Sequence, residues 1–251
     1  MITFESSRAR LRISPGDGGR VASLVVDGHE LLHTGDHTHD PLSWGSYPMV
    51  PYAGRVDRGR FTFAGVDHQL PVTLGPHAIH GTGYLDAWVL DDDGTIVHEF
   101  PAEWPFRGHA VQRFEVTEDA ATCHLEVHAD EPMPVSIGWH PWFRRPVTVE
   151  FHAGAMYERG DTGIPSGRLV PPPPGPYDDC FADVAPDPVL RFEGGPTITI
   201  SSNLDKWVVF DEPTHALCVE PQSAPPDALN HDPDVVVPGT PLVAWMRLSW
   251  T

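Results

Sequence analysis

The chain is short of cysteine, of basic residues and of uninterrupted apolar sequence, and each shortage excludes something. Its three cysteines (Cys123, Cys180 and Cys218) are an odd, widely spaced set without a C-x-x-C. That argues against a disulfide framework and for reduced thiols packed as small hydrophobes in a cytoplasmic protein. Sixteen Lys and Arg stand against 35 Asp and Glu, a formal net charge of -19. Such a surface repels phosphate backbones and anionic lipid, so neither nucleic acid nor a membrane is an expected partner. No run approaches the ~18 apolar residues of a membrane helix. Residues 1–14 carry arginines with no apolar stretch behind them, unlike a secretory signal. G-x-S-x-G, Walker A and G-x-G-x-x-G sequences are missing too, so acyl transfer and nucleotide binding have no anchor.

What the chain has in quantity is turn chemistry. Twenty-eight prolines and 23 glycines make about a fifth of it, which disfavours long helices and favours short strands joined by tight turns. Period-2 segments recur at 11–13, 21–26, 62–70, 88–97, 147–151, 197–200, 207–210, 217–219 and 242–250. Ala64-Gly65 marks one turn, and the Asp91 to Gly94 run marks a hairpin. Cys123, Leu125 and Val127 alternate with His124, Glu126 and His128, the pattern of a strand with one wet face. No 11-residue window shows a convincing 3.6-residue period. The expected class is all-β, a large antiparallel β-sandwich, with residues 1–251 forming one domain. Residues 171–174 and 223–238 read as loops within that domain.

Histidine and carboxylate dominate the unusual local sequences. A metal site is poorly supported. His77 and His80 form H-x-x-H without a zincin glutamate. His124 and His128 lie roughly 13 Å apart on a strand, too far for one ion with ~2 Å bonds. Three other segments carry chemistry. Residues 45–55, GSYPMVPYAGR, read as a loop ending in Arg55, whose guanidinium can donate to ligand hydroxyls. His80-Gly81 follows, where glycine lets backbone approach a ligand. Residues 136–143, SIGWHPWF, hold His140 before Pro141; the proline predicts a strand ending there with the ring on a rim. Residues 218–223, CVEPQS, end an apolar strand in Glu220. Burial there raises a carboxyl pKa toward neutrality, where a general base is useful.

Taken in order, P-Y-A-G-R, H-G at 80–81, G-W-H-P-W-F, D-D-C-F at 178–181 and V-E-P-Q-S-x-P-P-D-A-x-N resemble the aldose 1-epimerase (galactose mutarotase-like) family over residues 45–230. The resemblance implies a β-supersandwich with an open sugar cleft, a sugar as the small-molecule substrate, and no cofactor or metal. By motif match Glu220 takes the general-base place and His140 the general-acid place. Arg55, His80 and Asp178 (or its neighbour Asp179) fall where the family holds sugar hydroxyls, with His80 also near the ring oxygen. This chain departs from the pattern at Gly54, where asparagine is usual, and at Trp142, where tyrosine is commoner.

The chemistry of anomer exchange asks for the same groups. One side chain removes the C1 hydroxyl proton while another protonates the ring oxygen, on opposite sides of the C1–O5 unit, and the roles then reverse. The same residues also fit a hexose-6-phosphate or sulfonated-sugar epimerase using Arg58, Arg60, Arg144 or Arg145, a glycosidase using Asp178 and Glu220, and a non-catalytic sugar-binding sandwich.

Overall fold

A computed structural model describes residues 1–251. The alternating sequence builds two large antiparallel sheets packed face to face. The larger has eleven strands. Ten run in the order Ile2–Glu5, Ala9–Ser14, Arg20–Val26, Ser46–Met49, Gly138–Arg144, Ala216–Gln222, Lys206–Phe210, Asp178–Val184, Ala153–Arg159 and Pro165–Val170, and His29–Glu30 pairs beside Arg20–Val26. The eight-stranded sheet runs Val89–Leu90, Ile96–Glu99, Gly108–Val116, Ala120–Ala129, Leu242–Trp250, Thr197–Ser202, Val189–Phe192 and Val147–Glu150. Three two-stranded ribbons complete it: Arg55–Val56 with Ala78–Ile79, Arg60–Phe63 with Val66–Gln69, and Met133–Val135 with Asp234–Val236. The α-helix Ala228–His231 is a single turn, and no helix is long and apolar enough to cross a membrane.

Between the large sheets lies the main core. Leu11, Leu24, Trp139, Phe143 and Val219 come from one sheet, and Leu125, Val127, Ile198, Ala244 and Met246 from the other. The three cysteines are free and buried. Most strands bury one face, as alternation predicts; the two at the middle of the larger sheet bury both. Gly138–Arg144 is buried from end to end except at Arg144, and Ala216–Gln222 is buried throughout. Trp139, Phe143, Leu217 and Val219 point into the main core. Tyr47, Met49, Trp142, Ala216 and Cys218 form a second apolar cluster on the opposite face. That second face carries the site.

Three local expectations are corrected. Residues 45–55 are not all loop, because Ser46–Met49 is a full member of the larger sheet. The strand at His140 does not stop before Pro141 but continues to Arg144. Antiparallel neighbours explain how it survives the proline. The Trp142 N–H donates to Gly45 O (2.9 Å), so the nitrogen of Pro141 faces the other neighbour. On that side the ladder lapses between the pairs Gly138–Gln222 and Trp142–Cys218, and no bond is missed. Finally, residues 223–238 contain the helical turn and the strand Asp234–Val236.

Candidate active site

The lapse in the ladder is also where His140 and Glu220 meet. Constant register between Gly138–Gln222 and Trp142–Cys218 puts His140 opposite Glu220 on the second face. Gly138 lets the strands close here, since a Cβ would lie 2.4 Å from Pro221 O. The imidazole Nε2 of His140 stands 3.3 Å from Glu220 Oε1, and the residues are 6% and 1% exposed. At that burial neither charge is well solvated. Burial pushes the Glu220 carboxyl well above the usual carboxylate range, aided by nearby Asp178 and opposed by Arg55. It pushes the His140 imidazole down. The two opposite shifts together favour the neutral pair, a protonated Glu220 beside a neutral His140. This corrects the expectation of a carboxylate and an imidazolium on opposite sides of a sugar-sized hollow. They are neighbours, and both line the same cleft.

Aromatic faces hold the His140 ring. Tyr47 stacks on it at 4.9 Å and Trp142 at 5.1 Å, with His80 edge-on at 5.2 Å. His80 has φ +59° and Gly81 φ +75°, successive left-handed residues that turn the imidazole over the sheet. Only glycine fits at 81, where a Cβ would fall 1.9 Å from Val50 O. The Gly54 N–H donates to His80 Nδ1 (3.2 Å) and the His80 N–H to Gly54 O (3.0 Å). With Nδ1 accepting, the neutral ring carries its proton on Nε2. Burial, His140 and Arg55 all lower the His80 pKa, so this Nε2–H is a fixed donor.

A cleft of about 290 Å³ opens over these groups, and all five expected residues line it: Arg55, His80, His140, Asp178 and Glu220. An apolar cavity of about 150 Å³ already takes a benzene ring, so a six-membered ring with its hydroxyls is within range. Arg55 Nη2 donates to Asp178 Oδ2 at 3.3 Å. Arg159 reaches the same oxygen at 2.9 Å. Asp179 lies deeper, with Arg159 Nε at 3.6 Å, and burial raises its pKa.

Sequence reasoning missed Arg159, whose Y-E-R-G context carries no signal. It also gave no role to Gln222, whose Nε2 lies 3.4 Å from Glu220 Oε2. Nor did it single out Arg20, which is buried and donates to the carbonyls of Asp17, Pro41, Trp44 and Tyr84. Its guanidinium centres 5.3 Å over the Tyr47 ring, backing the tyrosine that stacks on His140. Arg58, Arg60, Arg144 and Arg145 do not line the cleft. Arg145 instead binds the carbonyls of Asp211, Pro213 and Ala216. His77 is spent on structure, with Nδ1 accepting from the Arg58 N–H and Nε2 against Thr162 O.

A family model described as aldose 1-epimerase matches residues 2–249. The chain belongs to the aldose 1-epimerase family. Among curated proteins, YphB of Escherichia coli K12, itself uncharacterized, is 30% identical over 152 residues. That stretch is 57% of this chain and 52% of YphB, so the match spans about half of the relative. Among solved structures, a candidate aldose 1-epimerase of E. coli K12 superposes with a TM-score of 0.87 at 23% identity, covering 99% of this chain and 98% of that one. A galactose mutarotase-like protein of Clostridium acetobutylicum gives 0.86 at 16% identity, covering 99% and 94%. At these identities the structural likeness establishes an aldose 1-epimerase fold, and the cleft residues must argue the rest.

Proposed function

We propose that the protein is a mutarotase, an isomerase that exchanges the α and β anomers of a free hexose at the His140–Glu220 pair. The observation that carries this reading is the 3.3 Å contact between two buried, oppositely biased proton carriers at the floor of an open cleft. The two oxygens that must lose and gain a proton, O1 and the ring oxygen, share one carbon. Adjacent acid and base serve them better than groups set across the ring. In ring opening Glu220 accepts the O1 proton and His140 gives one to the ring oxygen. The C1–O5 bond breaks, leaving the aldehyde, and C1 turns about C1–C2. Closure on the other face returns both protons. The tautomer that starts this step is one hop across the contact from the neutral pair. Each such proton transfer is typically worth about 10²–10⁴-fold.

The surrounding groups suit hydroxyl recognition. His80 offers its Nε2–H toward the cleft, and Trp142, Phe210 and Ile79 supply apolar faces for a ring's C–H surface. Arg55 and Asp178, linked to each other, present a donor and an acceptor. A phosphate-ester substrate is less well supported, because the four arginines that would have bound it lie elsewhere. The cleft's two arginines are matched by the carboxylates of Asp178 and Asp179. The test is a panel of free and 6-phosphorylated sugars followed by NMR exchange between anomeric signals. The expected result is catalysed exchange of a neutral hexose. Binding without exchange across the panel would refute the reading and leave a sugar-binding module.

A further inference from the structure

Beneath the proton pair, the same sheet face carries a third side chain that proton transfer does not use. Cys218 lies two residues before Glu220 and pairs with Trp142, so its thiol shares the second face with Glu220 and His140. One ligand atom from each of the three residues lies within 4.8 Å of the others, and all three are buried. The 3.3 Å separation of His140 Nε2 and Glu220 Oε1 has a second meaning. Two ligands bound at 2.0–2.2 Å at a tetrahedral angle stand about 3.4 Å apart. A thiolate at 2.3 Å completes that geometry about 3.6 Å from each of them, inside the 4.8 Å that bounds the three ligand atoms.

Two unused polar atoms border the cluster. His140 Nδ1 and Gln222 Oε1 are buried without a hydrogen-bond partner. Gln222 is 1% exposed, and its amide already lies against Glu220.

We infer that His140, Glu220 and Cys218 form an inhibitory site for a thiophilic divalent cation of the zinc class. Sulfur, imidazole nitrogen and one carboxylate make a set that suits zinc rather than magnesium or calcium, which take all-oxygen shells. The ion enters from the cleft, where His140 and Glu220 are open to it. Binding requires Cys218 as the thiolate and His140 as the neutral imidazole. The consequence for catalysis, though not the binding itself, rests on the proposed mutarotase reading: the metal occupies the atoms that must exchange protons.

The experiment titrates the intact protein with Co²⁺ as a spectroscopic probe, and in parallel with Zn²⁺ during anomer exchange. Wild type is expected to take up one cobalt equivalent with a thiolate-to-cobalt charge-transfer band. Cys218→Ser is expected to lose the band and to bind at least about 10-fold more weakly. Zinc is expected to stop exchange in wild type, and a chelator to restore it. Cys218→Ser and Cys218→Ala should keep basal exchange and resist zinc. Absence of the charge-transfer band in wild type, or equal zinc inhibition of wild type and Cys218→Ser, overturns the site. A cobalt band in a protein that exchanges no sugar upholds the metal site and refutes the mutarotase reading instead.

Discussion

Acid should unsettle this protein earlier than its carboxylates alone would. His98 is buried against Trp88, with ring centroids 5.3 Å apart, and its Nε2 lies 3.2 Å from Thr82 Oγ1. Burial lowers its pKa from 6.5 to about 4. Asp86 stands 4.0 Å away but is half in solvent, and offsets little of this. The folded pKa is below the unfolded one, so between pH 6.5 and about 4 the unfolded chain binds the extra proton. The stabilisation is complete above pH 6.5 and is lost as pH falls. At 1.36 kcal/mol per pH unit, His98 alone removes about 2 kcal/mol between pH 7 and pH 5. His80 and His140, both held down by burial, act with the same sign. The assay is urea unfolding of wild type and His98→Gln at the two pH values. Wild type should lose about 2 kcal/mol more than the variant on acidification. Equal losses would refute the argument that burial keeps this imidazole neutral.

Other consequences concern the cleft. Arg55→Ala removes a charged donor and should raise KM for the sugar by about 10–100-fold with a much smaller change in kcat; an unchanged KM removes Arg55 from the site. Gly81→Ala forces a left-handed alanine whose Cβ falls 1.9 Å from Val50 O. It should cost at least about 2 kcal/mol in thermal or urea unfolding, and a neutral effect would contradict the packing under His80. His140→Asn should lower kcat by about 10²–10⁴-fold with little change in KM; a purely KM effect would make His140 a binding contact.

How far the sequence foretold this depends on which face a residue occupies. Strands with one wet face were legible, and the Leu242–Trp250 alternation and the Asp91 to Gly94 turn match the structure closely. The centre of the larger sheet was harder, because Gly138–Arg144 and Ala216–Gln222 bury both faces and lose the period-2 signal. Prolines compounded this. Pro48 and Pro141 suggested a loop and a strand end, whereas both lie inside paired strands. Arg55, His80, His140, Asp178 and Glu220, which all line the cleft, each sit in an unusual local motif. Arg159 does not; it reaches Asp178 only through pairing of distant strands. The closeness of His140 and Glu220 was hidden as well, because register between residues 80 positions apart is a property of the sheet.

The central claim is that one proton, shared between His140 and Glu220, carries the chemistry. Its most direct test is Glu220→Gln, which keeps the shape of a fully buried side chain and removes its ability to take up a proton. Anomer exchange should fall by about 10²–10⁴-fold in a variant whose circular dichroism and unfolding remain those of a folded protein. Exchange at the wild-type rate in that folded variant would contradict the account.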